Sequence, residues 1–195
     1  MYNDNDLKEL EIKVREGMNE SRFRHTLGVM YTAAALAMKY GAGQSEDFIT
    51  RTMVAGLLHD NAKLTDDAKL LDFCYEKNIM VSDCERENAF LLHGKVGAYF
   101  AKVEYGIDDE DILNSITWHT TGRPDMSLME KIIFVADYIE PRRYKQKNLS
   151  EIREMAFTDL DLCIYKIAMD TVEFLKENNR PLDEMTVLTQ EFYKR

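Results

Sequence analysis

Apolar residues along this chain return every three or four positions and almost never alternate, which is the pattern of amphipathic helices rather than of strands. The spacing predicts a first helix over 6–18. Ser21 is placed to cap a second, which runs to Tyr40 and stops at Gly41. Ser45 caps a third that runs into "HDNAK", and a short helix follows over 66–77. Ser82 with Glu85, and Ser127 with Glu130, have capping-box spacing. They open helices over 83–105, ended by Gly106, and over 128–139, ended before Pro141. Between these lies a helix over 109–119. A long helix over 150–178 and a final one over 183–193 complete the chain. There is no internal repeat, low-complexity tract or long linker, so the expectation is one all-α domain over 1–195 without significant sheet.

Charge narrows the partners. With 35 acidic and 25 basic residues the net charge is -10, the wrong sign for general binding to nucleic acid or to an anionic membrane. An anionic substrate would need its own local positive charge, from a metal or an Arg/Lys cluster. Cys74, Cys84 and Cys163 are an odd set without CxxC spacing, read as reduced structural thiols. The N-terminus, "MYNDNDLKELEIKVREGM", lacks an apolar signal core, and no window reaches the roughly 20 apolar residues of a membrane span. The expectation is a soluble, cytoplasmic protein, and its Met and Tyr content is compatible with a homodimer.

The chemistry gathers on few residues. His25, His59, His93 and His119 are the only histidines, and each lies in or beside an apolar helical segment. A single histidine so placed is usually a hydrogen-bonded core residue. Four of four, with Asp60 adjacent to His59, point instead to metal ligation by imidazole and carboxylate. Asp137, in "KIIFVADYIE", is expected to be buried and therefore either paired with an arginine or metal-bound. Basic residues stand close to each candidate: Arg22 before His25, Lys63 after His59 and Asp60, Arg123 after His119, and Arg142 and Arg143 after Asp137 and Glu140. Each alone reads as a solvated surface charge. Together they suit a phosphate ligand, which metals polarise and Arg/Lys neutralise.

The ordered set His25, His59-Asp60 and Asp137 resembles the signature of the HD-domain metal-dependent phosphohydrolases. "SRFRHTLGV", "AGLLHDNAK", "LLHGKVGAY", "WHTTGRP", "MSLMEKIIFVADYIEPRR", "REMAFTDLD" at 153–161 and "RPL" at 180–182 resemble, in order, the YqeK-type bacterial members over about residues 18–185. The resemblance implies an HD core over about 18–145 followed by C-terminal helices over about 150–193. It implies symmetrical hydrolysis of diadenosine tetraphosphate (Ap4A) and related dinucleoside polyphosphates to two ADP by metal-activated hydroxide. His25, His59, Asp60 and Asp137 would hold one metal, iron before Mn, Co or Zn. His93 and His119 would hold a second metal or touch phosphate, Asp60 bridging if two metals are present. Asp60, Lys63, His93 and His119 would carry the catalysis. Arg22, His25, Lys63, His93, His119, Thr120, Arg123, Arg143 and Arg180 would bind the nucleotide phosphates, with ADP- or GDP-like nucleotides also accepted. The alternatives are another HD phosphohydrolase activity, as a nucleotidase or cyclic-dinucleotide phosphodiesterase, and a non-catalytic nucleotide-sensing module.

Overall fold

A computed structural model describes residues 4–63 and 65–194. Among them there is no strand. Eleven α-helices follow in order: α1 Asp4–Glu16, α2 Glu20–Tyr40, α3 Phe48–Leu58, α4 Asp67–Glu76, α5 Asp83–Glu87, α6 His93–Val103, α7 Glu110–Trp118, α8 Leu128–Ile139, α9 Leu149–Ala156, α10 Leu160–Glu177 and α11 Glu184–Tyr193. A single 3-10 turn, Ala89–Leu92, joins α5 to α6. None of these helices is long and apolar enough to cross a membrane.

The core forms where α2, α3, α7, α8 and α10 meet. Leu36, Leu57, Leu58, Ile112, Ile116, Met129, Ile132 and Ile133 are fully enclosed in it. α2 and α3 approach so closely that a Cβ on Gly56 would lie 2.9 Å from the Met30 Cα, so this crossing demands glycine. A smaller apolar cluster of Ala62, Leu70, Cys74, Leu92 and Val96 sits apart from the main core, beneath α4, the 3-10 turn and α6.

Both capping boxes form, Ser82 with Glu85 and Ser127 with Glu130. Other boundaries differ from the periodicity. Asn19, not Ser21, caps α2, because its side-chain oxygen accepts from the Arg22 amide at 2.9 Å. Ser45 does not cap α3; its hydroxyl bonds Asp47, and α3 begins only at Phe48. That helix ends at Leu58, so His59, Asp60 and Lys63 occupy turns rather than a continuing helix, and Leu64 lies outside the described residues. The expected helix over 83–105 is broken at Asn88, whose φ of -135° takes the chain out of helical geometry. The expected helix over 150–178 is broken at Phe157–Asp159, where Asp159 caps α10 through the Leu162 amide at 3.0 Å. Both breaks fall inside periodic sequence: the backbone turn at Asn88 makes the first without a side-chain cap, and the Asp159 cap makes the second.

Candidate metal centre

His59, His93 and His119 share one local design. Each follows the last residue of a helix or 3-10 turn, and its Nδ1 donates to the carbonyl three residues back: Gly56 at 2.7 Å, Phe90, and Ile116 at 2.7 Å. Carbonyls at a helix end lack an intrahelical partner, so the imidazole satisfies one and is thereby fixed in orientation. Each Nε2 is thereby left as an acceptor, and that of His59 has no hydrogen-bond partner. His25 lies inside α2 and uses a side chain instead: its Nδ1 is 3.0 Å from Oε1 of Glu140, which is 1% exposed. Glu140 is itself held. Its Oε2 accepts from the Arg142 amide at 2.7 Å, and Arg153 donates to its backbone carbonyl at 2.9 Å. Gly28 leaves room for it, since a Cβ there would fall 2.5 Å from Glu140 Oε2.

Asp60 stands between two sets of groups. Its Oδ2 is 3.6 Å from His25 Nε2, 3.3 Å from His59 Nε2 and 2.5 Å from the Arg22 guanidinium. Its Oδ1 is 3.5 Å from both His93 Nε2 and His119 Nε2 and 3.7 Å from Lys63 Nζ. Asp137 Oδ1 joins the first set, 3.0 Å from His25 Nε2 and 2.5 Å from Arg143. Asp137 is partly open to solvent rather than enclosed as its apolar helix suggests, so it faces the mouth of the site. Asp137 is thus paired with Arg143 and also stands in a donor group with His25 and His59. Lys63 donates to His93 Nε2 at 2.8 Å and lies 3.8 Å over the Phe90 ring. The Thr120 hydroxyl is 3.1 Å from His119 Nε2 and 3.3 Å from His93 Nε2.

The side chains converge in two groups of possible metal donors. His25, His59 and Asp137 converge as one donor group, and His59, Asp60 and His119 as another. His25 Nε2, His59 Nε2 and Asp60 Oδ1 are buried without a hydrogen-bond partner, although such groups in proteins are nearly always satisfied. His93 and His119 aim their Nε2 atoms at each other across 3.0 Å. Lys63 and Thr120 serve that pair, but His25 Nε2, His59 Nε2 and Asp60 Oδ1 remain electron-rich and unpartnered, so the donor set fits a divalent metal. Nitrogen and carboxylate donors suit first-row ions.

The electrostatics agree. Burial pushes the Asp60 carboxyl up, but His59, His119 and Lys63 outweigh it and hold Asp60 well below the usual carboxylate range. Burial likewise opposes ionisation of Asp137, and His25, Arg143 and His59 reverse the balance. Burial, with the nearby charge of Lys63, drives the His93 imidazole well below its ordinary range. That keeps His93 neutral near pH 7, as a ligand or acceptor requires. Burial also lowers Lys63, against the pull of Asp60 and Asp137.

Two expected residues lie elsewhere. Arg123 does not join the cluster; helical spacing suggested His119, but its guanidinium grips Glu130 bidentately at 2.7 and 2.9 Å, bracing the α8 capping box. Arg180 lines an adjoining pocket with Thr120 and Phe90 rather than the cluster itself. Sequence reasoning missed Glu140 as the His25 partner and Arg153 as its brace. The one available signal was a glutamate immediately before Pro141 at the end of an apolar helix.

Residues 22–142 match the HD domain family. The symmetrical bis(5'-nucleosyl)-tetraphosphatase of Halalkalibacterium halodurans is 42% identical over 176 residues, 90% of each chain. That of Bacillus subtilis is 38% identical over 90% of this chain and 91% of the relative. A crystal structure from Clostridium acetobutylicum, described as an HD superfamily hydrolase involved in NAD metabolism, superposes with a TM-score of 0.88 at 36% identity, over 99% of this chain and 97% of that one. The buried His/Asp constellation lies inside the matched region, and the chain belongs to the HD-domain family, similar over about 90% of its length to bacterial symmetrical bis(5'-nucleosyl)-tetraphosphatases.

Proposed function

We propose that the protein hydrolyses Ap4A and related dinucleoside polyphosphates at the central bridge, releasing two ADP. The activity named for these relatives supports the substrate. The observation that carries the chemistry is Asp60, whose Oδ2 faces the unsatisfied imidazole nitrogens of His25 and His59 and whose own unsatisfied Oδ1 faces the imidazole nitrogens of His93 and His119. His25, His59, Asp60 and Asp137 would hold one metal, and Asp60, His119 and His93 a second. Iron is the metal we favour over Mn, Co or Zn. A metal there supplies positive charge to phosphoryl oxygens and acidifies water near neutral pH.

The chain's own residues do the rest. Glu140 holds His25 in the tautomer that presents Nε2 to the cluster. Arg22, Arg143 and Lys63 nominally balance Asp60, Asp137 and Glu140, so any added cation leaves surplus positive charge for a polyanion in a chain of net charge -10. Lys63 and Thr120 border the Oδ1 side and can donate to phosphate oxygens there, stabilising charge on the departing diphosphate. The test is to incubate the pure protein with Ap4A and Mn²⁺ or Fe²⁺ and to separate the products by anion exchange. Two ADP per Ap4A is expected. ATP with AMP, or no turnover beside activity on deoxynucleoside monophosphates or cyclic dinucleotides, defeats the proposal. Elemental analysis of the protein as purified checks for iron.

A further inference from the structure

Two pockets open against opposite ends of the metal centre, and their charges differ in sign. The first, about 430 Å³, reaches His25 on the Oδ2 side of Asp60 and is lined by Arg22, Arg142, Arg143 and Lys145. Tyr144 stands at its rim with 80% of its surface exposed, and Lys145 Nζ lies 5.7 Å from its ring. The second, about 590 Å³, opens beside Thr120 on the Oδ1 side. Phe90 and Leu175 form its apolar wall, while Asp67, Glu87 and Asp183 outnumber Arg180 among its charges. Phosphate favours the first pocket. The second repels phosphate, but its carboxylates accept from donors such as ribose hydroxyls and an exocyclic amine. Each pocket offers an aromatic ring, and a base stacks on such a ring whatever its edge chemistry.

We propose that these pockets are unequal half-sites for the two ends of one substrate. The basic pocket seats a nucleoside diphosphate unit, its base against Tyr144. The acid-rimmed pocket seats only the far nucleoside, its base against Phe90. The assignment rests on the dinucleotide reading above. It makes the second pocket the feature that selects dinucleoside over mononucleoside polyphosphates, since two linked contacts bind far better than either alone.

The test is calorimetric titration of the full-length, Mn²⁺-loaded protein with two probes. One is ADP; the other is the Ap4A analogue with a methylene at its central bridge, which resists cleavage there. The wild type is expected to bind the analogue at least about tenfold more tightly than ADP. Leu175→Trp, which fills the second pocket, should bring the analogue to within about twofold of ADP while leaving ADP affinity unchanged. Glu87→Ala, which removes an exposed rim carboxylate, should act in the same direction and guards against misfolding of the tryptophan variant. Arg142→Glu should weaken both probes together. Equal wild-type affinity for the two probes overturns the proposal. So do second-pocket variants that spare the analogue or weaken ADP equally, and an Arg142→Glu protein that binds ADP normally. Failure of the wild type to release ADP from Ap4A would sink the functional reading alone, because neither probe depends on turnover.

Discussion

The two sides of Asp60 are built from different materials. On the Oδ2 side His25 and Asp137 project from α2 and α8, whose apolar faces make up much of the main core. A carboxylate, Glu140, fixes the imidazole there, and two arginines hold the aspartates. On the Oδ1 side His93 and His119 stand at element ends and are fixed by backbone carbonyls, with Lys63 on a turn. Beneath His93 lies only the small cluster of Leu70, Cys74, Leu92 and Val96. The contrast teaches that one side is held by long helices and side-chain charge, whereas on the other His119 follows a core helix but His93 and Lys63 rest on short elements over a small apolar cluster. Local opening costs least where few apolar contacts are buried, so the Oδ1 side is the side expected to move.

Five substitutions can break or sharpen that contrast. Asp60→Ala removes the residue that both sides share, and it should abolish metal binding and turnover together. Stoichiometric metal in that variant, measured by elemental analysis, would rule out the ligand assignment. Lys63→Met should lower kcat/KM for Ap4A by about 10²–10³, the loss typical of one charge-stabilising donor, while metal content stays full. An equal loss of metal would show that Lys63 supports the Oδ2 side as well. Glu140→Gln should weaken metal binding by about 10–100-fold, the usual effect of removing a partner behind a ligating histidine. Gly28→Ala should shift the same way, since its Cβ would displace the Glu140 carboxylate; a competition titration with a chelator reads both. Leu92→Ala should disturb turnover least. It opens the small core, at a cost of about 2–5 kcal/mol for a buried leucine, and hydrogen exchange should quicken in α4 and α6 but not in α2 or α8. Uniform quickening would mean the two sides unfold as one unit.

Much of the fold was legible because its signals are local. Both capping boxes formed where the spacing put them, and the candidate residues His25, His59, Asp60, His93, His119 and Asp137 do come together. What escaped was long-range or competitive. Glu140 meets His25 across 115 positions of sequence, a pairing no periodicity encodes. Arg123 had two suitors within reach, and the capping glutamate held it more firmly than the histidine one turn away. The breaks at Asn88 and Asp159 lie within uninterrupted apolar spacing, where a backbone turn or a single cap decides. The first of these breaks matters to the site, because it starts a new helix at His93.

His59 and Asp60 are neighbours in a turn that directly follows the crossing of α2 and α3 at Gly56. One peptide unit therefore supplies donors to both halves of the centre, like a single rivet through two plates. Any displacement of that short piece of backbone would move donors of both groups at once. An engineer wishing to retune one donor group without the other would have to work from Asp137 or from His119, never from the dipeptide itself.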